Sequence, residues 1–184
     1  MTNDRPHRPL THMEAKMSGT ITLIAQTSET SSTNPVPSRQ VTAEDIPALS
    51  ELFFQAYDAS SAATSKDDAQ KIIEGVFDGE FGPFLPDASP VIEDEDGKVI
   101  AAAIVLEQRK GDDLPKAPYL FELFTASSHR RRGLAEQLVR EAMTKLYNQG
   151  YEEVSLRIAE DNSAALALYL TLDFNRWVPY NDDV

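Results

Sequence analysis

An apolar and aromatic strand, Tyr119 to Thr125, runs directly into a turn holding three consecutive arginines and a glycine, and that turn opens a helix. Leu134, Leu138, Ala142 and Leu146 recur every four residues after it, and Gly150 closes the helix. A helix start leaves main-chain N–H groups without intrahelical acceptors, and its dipole favours negative charge, so this join is a phosphate or anion site. Gly133 and Ala135 are small enough to let oxygens reach the main chain, while Arg130, Arg131 and Arg132 add positive charge. Two familiar phosphate loops do not fit. The P-loop needs a G-x-x-x-x-G-K-[ST] run that does not occur, and the dinucleotide turn needs three glycines where this one has a single glycine.

The elements around that join point to a mixed α/β domain. Ile46, Leu49, Phe53 and Tyr57 recur at helical spacing behind the Thr42 and Asp45 cap, and Asp67 to Phe77 reads as a second helix. Gly79, Gly82, Pro83 and Pro86 end it. Val91-Ile92 and the apolar run Val99 to Leu106 flank an Asp96-Gly97 turn, which marks a hairpin. Beyond the long helix, Val154, Leu156 and Ile158 alternate as a strand, Asn162 to Leu172 reads as a short helix, and Phe174 to Val178 as a final strand. Residues 1 to 40, rich in Ser, Thr and Pro, offer little to bury and read as a flexible tail with one stray apolar stretch at Ile21 to Ala25. The domain is therefore expected to occupy residues 41 to 184.

Charge narrows the partners. A formal net charge of -13 opposes binding to nucleic acid or to an anionic membrane surface. The acidity concentrates in residues 41 to 107, so the His129-Arg130-Arg131-Arg132 cluster is a local exception suited to an anionic ligand. With no cysteine there is no disulfide, thiolate metal site or cysteine nucleophile, and no metal is expected. A reducing cytoplasm suits such a chain, and no apolar run is long enough to span a bilayer.

Two motifs in order carry a resemblance. Arg130-x-x-Gly133-x-Ala135 resembles the Q/R-x-x-G-x-G/A signature of the GNAT N-acetyltransferase superfamily, and it stands between a strand and a helix as that signature does. Downstream, Asn162-Ser163-Ala164-Ala165-Leu166-Ala167-Leu168-Tyr169 and then Asp173-Phe174 is similar to the family's N-x-x-A-x-x-L-Y-x-x-x-G-F ending. The likeness is strongest over residues 119 to 178. Asp173 stands where the family usually has glycine, and Ser127 where proline is common.

The resemblance implies a mostly antiparallel twisted sheet flanked by helices, and acetyl-CoA as acetyl donor. It places the pantetheine arm on the main chain of Leu123, Phe124 and Thr125 and near Asn162. The pyrophosphate would lie on N–H groups from Arg130, Arg131, Arg132, Gly133, Leu134 and Ala135. An amide of Phe124 or Thr125 would stabilise developing negative charge. Tyr169 would return a proton to the departing thiolate, and either water or Glu122 would take one from the amine. His129 reads as a second anion contact. The acceptor would be an amine-bearing small molecule or protein, with the acidic middle region leaning towards a cationic amine, and the protein would act as a monomer or homodimer. A non-catalytic acyl-CoA-binding sensor on the same fold, or a nucleotide-binding α/β module, would use the same turn.

Overall fold

The computed structural model describes residues 19–56 and 65–179. In chain order the elements are β1 (Thr20–Gln26), β2 (Arg39–Gln40), α1 (Ile46–Ala56), α2 (Lys66–Phe77), β3 (Pro90–Glu93), β4 (Val99–Leu106), β5 (Tyr119–Thr125), α3 (Leu134–Asn148), β6 (Glu153–Ala159), α4 (Ser163–Thr171) and β7 (Asn175–Trp177). They build one seven-stranded sheet in the order β2-β3-β4-β5-β6-β1-β7. Every neighbouring pair is antiparallel except β5 with β6, which run parallel. This is the mixed, mostly antiparallel sheet flanked by helices that the sequence implied.

Each face of the sheet carries its own core. On one side Leu49, Leu52 and Phe53 of α1 and Ala69, Ile73 and Val76 of α2 cover Val91, Ala102, Ile104 and Phe124. On the other, Leu134, Leu138, Ala142 and Leu146 of α3 pack with Leu23, Ile92, Val105, Leu120 and Leu156. The four-residue repeat read in α3 is this buried stripe. All eight residues of β4 are buried, as a strand covered by helices on both faces must be.

The expected tail is corrected by β1. Thr20–Gln26 pairs along its whole length with β6, from Thr20 opposite Ala159 to Gln26 opposite Glu153, and its other edge carries β7. Leu23 and Ala25 alternate into the core, so the segment gains ladder bonds and apolar burial that no free tail would have. Residues 28–38 then cross the outer side of α3 as a strap. Gln137 donates from Nε2 to Val36 O and accepts from Val36 N at Oε1, while Thr144 Oγ1 donates to Thr30 O and accepts from Thr30 N. β2 follows the strap and pairs with β3. The domain thus begins by Thr20 rather than at residue 41, and residues 1–18, Tyr57 and the rest of 57–64 lie outside the described residues.

At the start of α1, Arg39 clamps Asp45 through two 2.8 Å bonds, Nη1 to Oδ2 and Nη2 to Oδ1. Asp45 also accepts from Thr42 N at 2.8 Å, and the Arg39 pairing holds its carboxyl below the usual aspartate range despite burial. Further along, Gly82 lets the loop before β3 cross the chain leaving β4. A Cβ there would sit 2.0 Å from Gln108 O, and its φ of +138° strains any other residue, so only glycine fits.

Candidate functional site

Among the described residues, β5 is paired along its length on one side only. Its ladder with β4 reaches from Leu106 opposite Tyr119 to Ala101 opposite Thr125, but its pairing with β6 consists of Tyr119 opposite Ser155 alone. Beyond that point the two parallel strands separate. A bulge contributes to the shape: Ile104 faces Glu122 and Val105 faces Leu120, so Phe121 is an extra residue. The odd spacing lets Leu120 and Leu123 both reach the α3 core while Phe121 and Phe124 join the α1/α2 core. Between the separated strands lies a cleft of 190 Å³ lined by Glu122, Leu123, Phe124, Ile158, Asn162 and Tyr169. The main-chain groups of Leu123 to Thr125 on its β5 side belong to no ladder with β6. The side chain of Phe124 does not enter the cleft chemistry, because it packs edge-on against Phe53 in the core.

The chain leaves β5 through a short 3-10 turn at Ser127–His129, then Arg130 is extended and Arg131 adopts φ 65°. Gly133 follows at φ 73° as the residue capping α3, and no side chain caps the helix there. Among the described residues, no hydrogen bond is donated by the N–H of any residue from Arg130 through Ala135 outside the helix itself, and the first helical turn has no internal acceptors for them. Positive φ at Arg131 and again at Gly133 makes this a sharply turned backbone, the kind of turn in which anion-binding nests occur. A non-glycine residue at φ 65° stores strain, and such strain gathers at ligand sites. A Cβ built on Gly133 meets nothing within 4 Å, so the approach is open. Arg130, Arg131 and Arg132 are exposed around it, and Leu134 is buried, fixing the helix start to the core. His129 shares a 2.7 Å hydrogen bond between its Nδ1 and Ser128 Oγ.

Tyr169 is 6% exposed and lies at the inner end of the cleft, its ring edge-on to Phe174 at 5.3 Å. Burial pushes its phenol well above the ordinary tyrosine range, and the negative charge of Glu122 pushes further, followed by Tyr119. Tyr169 therefore keeps its proton at neutral pH, and Glu122, 9% exposed, stands close enough to influence it. These residues, 47 apart in sequence, are brought together by β5 and α4 packing on one cleft. Asn162 lines the cleft too, but its Oδ1 accepts from Ala165 N at 3.1 Å and caps α4. Asp173 adopts φ 64°, the left-handed conformation that explains why a related position favours glycine.

Sequence reasoning missed a buried pair beneath the site. Arg109, 7% exposed, donates from Nη1 to Tyr119 Oη at 2.7 Å and stacks over the Tyr119 and Phe121 rings at 5.0 and 5.8 Å. Burial raises the Tyr119 phenol, opposed by Arg109. Glu107, Gln108 and Arg109 follow the apolar run Val99 to Leu106, and only the third is buried. Among the described residues, no group of three His, Asp or Glu side chains is placed to hold a metal ion, and no helix is long and apolar enough to cross a membrane.

The sheet thus parts between β5 and β6 beside a helix start that no side chain caps. The chain belongs to the acetyltransferase (GNAT) family, whose model matches residues 47–174. It is 42% identical over 57 residues to human N-acetyltransferase 8, a match covering 31% of this chain and 25% of that protein. Among solved structures it resembles a GCN5-related N-acetyltransferase from Sphaerobacter thermophilus, with 16% identity and a TM-score of 0.59 over 90% of this chain and 52% of that one. It also resembles AAC(6')-Iy in complex with the bisubstrate analogue CoA-S-monomethyl-acetylneamine, with 18% identity and a TM-score of 0.58 over 80% of this chain and 98% of that one. These structures share the fold. The chain thus spans a quarter of the human protein and about half of the Sphaerobacter one.

Proposed function

We propose that this chain moves an acetyl group from acetyl-CoA directly to the primary amine of a small molecule or protein. The observation that carries the reading is the continuity between the unpaired β5 edge at Leu123–Thr125 and the open N–H groups from Arg130 to Ala135. That continuity fits a ligand with an amide-bearing arm and a diphosphate. The main chain of Leu123, Phe124 and Thr125 pairs with the arm, and Asn162, whose Oδ1 caps α4, stands beside it. The N–H groups of Arg130, Arg131, Arg132, Gly133, Leu134 and Ala135 hold the pyrophosphate, with the arginine charges beside them. Bound acetyl-CoA supplies the activated thioester.

This chain's residues then have separate tasks. An amide N–H of Phe124 or Thr125 donates to the oxygen that gains negative charge. Tyr169, kept protonated by burial, gives its phenolic proton to the leaving sulfur. Glu122, or water beside it, takes the proton of the incoming amine. The acidic side chains between Asp67 and Asp87 favour a cationic acceptor. A reducing cytoplasm suits a chain without cysteine.

Calorimetry with CoA and with acetyl-CoA, followed by thiol-release assays across a panel of amines, tests the reading. Binding with turnover on at least one amine is the expected result. Binding without turnover on any of them would favour an acyl-CoA sensor, and no heat with either ligand would remove the coenzyme site itself.

A further inference from the structure

We infer that the acceptor amine also carries a carboxylate, as a free amino acid does, and that Arg157 binds it from across the parted strands, opposite Glu122. The inference rests on the reading of Glu122 as the group that meets the amine. Register places the two residues level with each other. Arg157 stands two residues beyond Ser155, the β6 side of the single pair that joins the strands. Glu122 stands three beyond Tyr119, the β5 side of that pair, but Phe121 is the extra residue of the bulge, so the count along the ladder is the same.

The two side chains also share a face. Leu156 and Ile158 pack towards α3, so Arg157 between them points to the α1/α2 side of the sheet. Leu123 packs towards α3 as well, and the regular register beyond the bulge turns Glu122 to the same side as Arg157. Among the described residues lining the 190 Å³ cleft, these two are the charged ones. Burial raises the Tyr119 phenol at the vertex of the fork, Arg109 and Arg157 lower it, and Glu122 raises it, so both cleft charges act on one ring.

Arg157 is half-buried, and it is held without being neutralised. Its Nε donates to Thr22 Oγ1 at 3.3 Å and its Nη2 to Asp113 O at 3.2 Å, both uncharged acceptors. Among the described residues it makes no ion pair, in a chain where carboxylates outnumber cations. A simple amine would meet Glu122 and bring nothing to Arg157. A peptide N-terminus offers an amide there, and a lysine side chain a methylene. An amino acid brings its ammonium to Glu122 and its carboxylate to the guanidinium, whose planar fork suits two parallel bonds.

The test compares L-leucine, L-phenylalanine and L-lysine, each with its own carboxamide. Affinity is measured by calorimetry on the full chain with and without saturating CoA, and turnover by thiol release from acetyl-CoA. At least one amino acid should bind about tenfold or more tighter than its amide, the scale of one charge-assisted bond, and show the higher kcat/KM. In Arg157→Met that preference should vanish while amide affinity stays within a factor of two, and Arg157→Lys should restore part of it. An Arg157 that serves only to hold Asp113 would make acid and amide weaken together in Arg157→Met, which would overturn the proposal. Amides that bind the parent as well as the acids do, or acids that do not bind, would overturn it too. Acid-selective binding with no thiol release would keep the carboxylate site and remove acetyl transfer, whereas thiol release with the amides alone would do the reverse.

Discussion

α2 and α3 begin in opposite ways. Ser65 caps α2 by accepting from Asp68 N at 3.1 Å, and Asp68 faces back towards Ser65 N, so the helix closes on its own side chains. α3 begins at a glycine with no side chain to offer, Arg131 before it also has positive φ, and no N–H from Arg130 to Ala135 is bonded outside the helix among the described residues. α4 sides with α2 through Asn162. A helix whose start serves only the fold satisfies it locally, whereas one that leaves it open trades stability for a place where an anion can dock.

The sharpest way to break this contrast is Gly133→Glu. A Cβ has open space there but would carry a carboxylate into the anion approach, so CoA affinity should fall by about 100-fold or more in calorimetry while far-UV circular dichroism stays native. Retained affinity would mean the open start is not the coenzyme anchor. At the inner end of the cleft, Tyr169→Phe should lower kcat by about 100-fold with CoA affinity within a factor of two. Equal losses in both would make Tyr169 a packing residue.

Two changes in the framework should do the converse, shifting stability but not binding. Arg39→Met leaves the buried Asp45 carboxylate unpaired. Because Arg39 is 39% exposed, solvent screens part of the effect, and a loss of about 2 kcal/mol is expected in urea melts at neutral pH. Asp45 has a depressed pKa in the folded state, so the stability it contributes is fully present above the unfolded value near 4 and is lost as pH falls through the lower folded value. The gap between parent and variant should therefore close in that acid range, and a constant gap would place the effect elsewhere. Smallest of all, Ser65→Ala should cost about 1 kcal/mol and leave CoA affinity unchanged.

The helices and hairpin were legible because their signals are local. The α3 stripe, the Asp96-Gly97 turn and the strand before the arginines each sit within one element's span. The position of the candidate site was legible for the same reason, since strand, turn and helix are consecutive. What escaped was what distance supplies. Ile21, Leu23 and Ala25 alternate as a strand should, yet the partner that orders them lies at residues 153–159, and the polar strap behind them masked the pattern. Arg109 is a core residue only because the Gly82 crossing and Tyr119 enclose it, and no spacing in the sequence announces that.

β1 has a bearing on how the molecule is made. It has no neighbour in the sheet until β6 has been synthesised well over a hundred residues later, and β7 then attaches to β1 in turn. The nascent chain must therefore carry a bare apolar ribbon while the residues between β1 and β6 are made. Chaperone occupancy during synthesis should centre on that ribbon and end when β6 and β7 arrive.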